Sequence, residues 1–74
     1  MPADLVPRYY QIKQVIKKWI LNDEIGMGQK IPSENELASS FHVSRLTVRQ
    51  ALSQLIQEGF LNSRRGDGTY VTDN

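Results

Sequence analysis

Two helix starts stand close together in Ser33-Glu34-Asn35-Glu36-Leu37-Ala38-Ser39-Ser40-Phe41-His42-Val43-Ser44-Arg45-Leu46-Thr47-Val48-Arg49-Gln50-Ala51-Leu52. Ser33 and Glu36 have the capping-box spacing, in which a hydroxyl and a carboxylate satisfy each other's free amides at a helix start. Leu37, Ala38 and Phe41 then give a short helix one apolar face over two turns. His42-Val43 leads directly to a second N-cap, Ser44. Beyond it Val48, Ala51, Leu52, Leu55 and Ile56 recur at helical spacing, with Arg45, Arg49, Ser53 and Gln57 along the other side until Gly59 stops the helix. Two helices joined by about three residues make a helix-turn-helix.

Upstream, Pro7 opens a third amphipathic segment, predicted over Pro7–Leu21. Tyr9, Ile12, Val15, Ile16, Trp19 and Ile20 form its apolar stripe, and Lys13, Gln14, Lys17 and Lys18 lie opposite. Gly26-Met27-Gly28 supplies the backbone freedom that ends it, and Gln29-Lys30-Ile31-Pro32 has room for a short strand. Downstream the period changes. Leu61–Arg64, the turn Arg65-Gly66-Asp67-Gly68 and Thr69–Thr72 read as a β-hairpin, since Asp-Gly is a strong turn signal. The order helix, short strand, helix, helix, two-stranded wing is mostly α with a small β-hairpin: a winged helix-turn-helix.

Length and composition narrow the function. Seventy-four residues make one small unit, with 39% hydrophobic residues and no cysteine. A core of this size supplies only ~3–5 kcal/mol, and disulfide staples, cysteine nucleophiles and thiolate metal sites are excluded. No stretch reaches the ~18 apolar residues of a membrane span, and no secretory leader opens the chain, so the expected location is the cytoplasm. Net charge is only +1, but its distribution is uneven. Between Val43 and Gly66, Arg45, Arg49, Arg64 and Arg65 face Glu58 alone, an excess carried entirely by arginine. The guanidinium fork suits phosphates and base edges.

In a helix-turn-helix the second helix enters the major groove with its N-terminal residues at the base edges. Here these are Ser44, Arg45, Leu46, Thr47 and Arg49. Arg45 and Arg49 stand four apart on one outward face, able to bond guanine O6 and N7. Ser44 and Thr47 carry hydroxyls suited to phosphate oxygens, and the amides at the helix starts, at Ser33 and Ser44, attract phosphate. Arg65 and Gly66 at the wing tip fit the narrow, negative minor groove, with Asp67 as a turn residue. Glu34 is either solvated or an acceptor for cytosine N4.

Other constellations are weaker. His42, the sole histidine, lies in a turn, and Glu34 and Glu36 face different ways, so a metal site, a triad or an acid/base pair has little to build on. The expectation is a non-enzyme with no cofactor and no metal. Tyr9 and Trp19 fall on the core stripe rather than on a stacking surface for single strands. Arg65-Gly66-Asp67 spells an adhesion tripeptide, which would need an extracellular setting. A winged helix serving only protein contacts would not need outward Arg45 and Arg49 beside a basic wing.

Ile31-Pro32-Ser33-Glu34-Asn35-Glu36-Leu37-Ala38, Val43 to Leu52, Glu58-Gly59-Phe60-Leu61 and Gly66-Asp67-Gly68-Thr69-Tyr70-Val71 together closely resemble the DNA-binding domain of the GntR family, over about Arg8 to Val71. The opening Tyr9-Tyr10-Gln11-Ile12 resembles its HutC branch and the similar arabinose-type repressors. The resemblance implies a bacterial transcription regulator, usually a repressor, that binds a pseudo-palindromic operator as a dimer. It implies base reading by Arg45 and Arg49, phosphate contacts by Ser44 and Thr47, and minor-groove entry by Gly66 with Arg65. Further DNA contacts are implied at Arg8, Tyr9 and Glu34, and operator preference at Leu46. Many members carry arginine where this chain has Asn35. Family members continue into a larger C-terminal domain that binds a metabolite and makes the dimer. Residues 1–74 are therefore expected to be one DNA-binding domain cut from a longer repressor, with a sugar-type effector bound elsewhere in that protein.

Overall fold

The computed structural model describes residues 6–72. Three helices, α1 (Arg8–Leu21), α2 (Glu34–Phe41) and α3 (Arg45–Gln57), are followed by an antiparallel hairpin of β1 (Leu61–Arg64) and β2 (Gly68–Val71). The register pairs Leu61 with Val71 and Arg64 with Gly68. This is the expected winged helix-turn-helix, with α1 starting one residue later than predicted and β2 starting at Gly68 rather than Thr69.

Each boundary has a local cause. Ser33 Oγ accepts from the Glu36 amide (3.1 Å) while the Ser33 amide donates to Glu36 Oε1 (2.9 Å), completing the capping box of α2. Ser44 Oγ accepts from the Thr47 amide at the start of α3. Pro7 stands at the start of α1, its carbonyl accepting from the Tyr10 and Gln11 amides. Between α2 and α3 the chain reverses through His42, at φ 58° and ψ 47°. This left-handed conformation is strained for a residue with a Cβ, and it lets the His42 and Val43 amides reach carbonyls of the last turn of α2. Gly59 follows α3 at φ 89°, where glycine is unstrained, and the Phe60 amide caps Leu55.

The core gathers Ile12 and Ile16 of α1, Ile31, Leu37 of α2, Val48, Ala51, Leu52 and Leu55 of α3, and Leu61 and Val71 of the hairpin. Tyr9, Trp19 and Phe41 pack at its edge, with the Trp19 and Phe41 rings stacked 6.1 Å apart.

Four sequence expectations change. Lys13, placed on the polar face of α1, is buried, and Val15, placed on the apolar stripe, is exposed. Lys13 sits nearer the helical direction of Ile12, Ile16 and Ile20 than Val15 does, and its ammonium donates to Gln54 Oε1 (3.2 Å) and to the Glu58 carboxylate. The end of α1 is turned not by the glycine run but by Asp23, at φ 58°, a short polar residue that tolerates the left-handed region. The predicted strand at Gln29–Pro32 contracts to a single bridge, Lys30 to Tyr70. Pro32 has no amide to extend the ladder, although Gly28 and Ile31 donate to β2 and Gln29 accepts from it.

Leu55 is fully buried where α3 meets the rest of the core. Leu55→Ala should cost ~2–5 kcal/mol, comparable with the whole stability of a domain this small. Urea titration followed by circular dichroism should show the variant largely unfolded before denaturant is added.

Candidate nucleic-acid interface

Capping fixes where the first turns of α2 and α3 begin, and the short His42 reversal brings them side by side. Glu34 opens α2, where its charge complements the free amides of the helix start. Across from it stand Arg45 and Arg49 on successive turns of α3. Arg49 grips Glu34 side-on with two parallel bonds from one edge of its guanidinium: Nε donates to Oε2 at 3.1 Å and Nη2 to Oε1 at 3.0 Å. Arg45 Nη2 lies 3.8 Å from the same carboxylate. The hydrogen bond from Arg49, reinforced by the charges of Arg49 and Arg45, holds the Glu34 carboxyl below the usual glutamate range, and Glu34 in turn raises the Arg49 guanidinium. Glu34 is thus neither simply solvated nor free; it is the counter-charge of the outward arginine pair.

Ser44 and Thr47 meet at the start of α3, their hydroxyls 2.9 Å apart. Ser44 is exposed and Thr47 half-buried, with the adjacent Leu46 exposed. A groove of ≈ 660 Å³ runs between these helix starts and the wing, and its walls include Ser33, Glu34, Arg45, Arg65 and Gly66. Five of the sequence candidates thus line one groove, and Arg49 is joined to it through its bonds to Glu34. Arg8 lies apart from this groove, in a smaller depression with Phe41 and Val43. Tyr9 is half-buried against the core.

The wing is held in shape by contacts that the sequence reading did not foresee. Asp67 Oδ2 accepts from the Tyr70 hydroxyl at 2.6 Å, and Lys30 Nζ lies 3.9 Å from Oδ1. Arg64 lies over the Tyr70 ring, 4.4 Å from its centroid. Asp67 is more than a turn residue: it pins the turn to β2, and Lys30 opposes its charge. The bond to Asp67 raises the Tyr70 hydroxyl pKa. Gly66, at φ 76°, has open space where a Cβ would stand, so its constraint is backbone conformation, not crowding. Lys30 and Arg64 also line the groove. Lys30 could have been found only by pairing its segment with β2, whereas Arg64 was visible as part of the arginine excess.

No cluster of three His, Asp or Glu side chains suited to a metal ion occurs among the described residues. No described helix is long and apolar enough to cross a membrane.

A helix-turn-helix with cations on the exposed start of its second helix, beside a hairpin across a shared groove, defines the winged helix-turn-helix class. Within it, the profile described as "Bacterial regulatory proteins, gntR family" matches residues 8–71, and the chain belongs to that family. It is 48% identical over 67 residues to the HTH-type transcriptional repressor NagR of Bacillus subtilis, covering 90% of this chain and 28% of that protein. It is 44% identical over 72 residues to an arabinose metabolism transcriptional repressor of Geobacillus stearothermophilus, covering 97% of this chain and 20% of the repressor. The chain thus spans less than a third of either relative's length. Among solved structures, AraR(DBD) in complex with operator ORR3 superposes with a TM-score of 0.89 at 46% identity, over 92% of this chain and 82% of that one.

The carboxyls of Glu34, Glu36 and Glu58 are all held below the usual glutamate range. The causes are the Arg49 hydrogen bond, the Ser33 amide and the Lys13 hydrogen bond respectively. A depressed folded-state pKa stabilises the fold above the unfolded value, and that stability is lost as pH falls through the folded value. Urea midpoints should therefore stay level from neutrality down to about pH 5 and decline below the usual glutamate pKa of ~4.3. Carboxyl NMR titration should place Glu34 low in the parent protein and return it upward in Arg49→Gln.

Proposed function

We propose that the chain is the operator-reading domain of a bacterial transcriptional repressor, recognising double-stranded DNA by sequence. The observation that carries this reading is the exposed Arg45 and Arg49 pair on the opening turns of α3, on the same face as the wing. With α3 in the major groove, each guanidinium can meet guanine O6 and N7. Arg49 must first loosen its hold on Glu34. An exposed ion pair is worth only ~0.2–1 kcal/mol, so exchanging it for a base contact is inexpensive, and the released carboxylate is placed to accept from a cytosine N4 amino group.

Phosphates are gripped by Ser44, Thr47 and the amides at the starts of α2 and α3, near Ser33. Arg65 and Gly66 enter the minor groove, and Arg8 and Tyr9 add contacts to one side. The operator complex of AraR(DBD) and the repressor names of NagR and the arabinose protein support the same assignment. By the family pattern, two copies occupy a pseudo-palindrome. Dimerisation and the response to a metabolite, of sugar type in this branch, reside in a further domain, and the regulator works in the cytoplasm. The chain itself performs no catalysis and needs no cofactor.

Selection of duplexes from a random pool should return a two-fold motif, and anisotropy titration should show it bound more tightly than a scrambled sequence. Arg45→Ala and Arg49→Ala should each lose ~1–3 kcal/mol with relaxed preference at one base pair, while affinity keeps falling with added salt. Equal affinity for motif and scrambled duplex, or unchanged affinity in both variants, would overturn the assignment.

A further inference from the structure

Leu46 is the most exposed large apolar side chain among the described residues, at 71%. It is the second residue of α3, between Arg45 and Arg49, whose side chains are 59% and 54% exposed. The stripe Val48, Ala51, Leu52 and Leu55 defines the inward direction of α3. At 3.6 residues per turn Leu46 projects from the opposite side, on the outermost ridge with Gln50 and Ser53. Packing in the free protein therefore gives no reason for a leucine here, and glutamine, lysine or glutamate would hold the helix about as well with better solvation. A lone exposed leucine elsewhere would carry no meaning; this one stands at the tip of the ridge that reaches deepest into the groove if α3 reads DNA. The one apolar feature on a base edge in the major groove is the C5-methyl group of thymine.

We propose that Leu46 reads the C5-methyl group of a pyrimidine beside the base pairs addressed by Arg45 and Arg49. The inference rests on the DNA-binding reading above. Leu46 has no hydrogen-bonding group, so it cannot distinguish the O4 of thymine from the N4 of cytosine; it senses only the presence of the methyl. Thymine and 5-methylcytosine carry that methyl on the same ring carbon, whereas uracil and cytosine carry hydrogen. It follows that α3 responds to cytosine methylation at this position as it does to thymine. Burying one methyl-sized group is worth about a fourfold change in affinity.

The test uses the 74-residue chain and the duplex it enriches from a random pool. Each thymine in one half of that duplex is replaced singly by deoxyuridine, and each duplex is titrated with the parent protein and with Leu46→Ala. Leu46 is outside the core, so the variant should keep the parent's thermal midpoint. One thymine should stand out, its replacement weakening the parent about fourfold and leaving Leu46→Ala indifferent. At the same position 5-methylcytosine should be bound more tightly than cytosine by a similar factor, again by the parent alone. An enriched duplex without thymine in the region, indifference of the parent to uracil throughout, or a uracil penalty that survives in Leu46→Ala would overturn the proposal and leave the DNA-binding reading standing. Failure to enrich any sequence would overturn that reading and the proposal with it.

Discussion

Burial of one side of α3 organises the molecule. Val48, Ala51 and Leu55 are fully buried and Leu52 nearly so, and α1, α2 and β1 all pack against this helix. Because the apolar stripe occupies one side of a 13-residue helix, the other side is necessarily presented to solvent along its whole length. The same packing that gives a small chain its stability thus fixes which residues of α3 face outward. Arg45, Leu46 and Arg49 need no separate device to expose them; they are what remains when the stripe is satisfied.

Much of this was legible in the sequence because it is local. The capping box at Ser33 and Glu36, the cap at Ser44, the stop at Gly59 and the Asp67-Gly68 turn signal are each written within a few residues, and they set the element boundaries to within a residue or so. The face carrying Arg45 and Arg49 followed from the helical period. The unforeseen features are those joining distant parts of the chain. Glu34 and Arg49 lie 15 apart, Lys13 and Glu58 45 apart, and no periodicity connects them. The left-handed reversals at Asp23 and His42 were missed for another reason: neither is glycine, and each turn is closed by the amide that follows, Glu24 to the Trp19 carbonyl and Val43 to the Ala38 carbonyl.

The interface candidates divide by how they are held. Glu34, Arg45 and Arg49 form an exposed network whose bonds can be traded for contacts with a ligand. At the wing, Asp67 is tied to Tyr70 and faces Lys30, so the acid that would repel phosphate is already engaged, leaving the neighbouring Arg65 to set the local potential. Opposite charges are thus arranged to hold shape in the free domain without filling the groove.

The two ends of α3 are anchored differently. At its start the partner is the solvent-accessible Glu34; at its far end Glu58 is held by the buried Lys13, with Lys17 Nζ 4.0 Å away and over the Phe60 ring. Two cations there also offset the unfavourable placement of a carboxylate at a helix C-terminus. Side chains at the front can therefore be rewired while the rear joint keeps the helix axis fixed. Such a frame fits docking by rotamer change with little backbone movement, the mode in which association is governed by encounter and orientation rather than by a slow rearrangement of the fold.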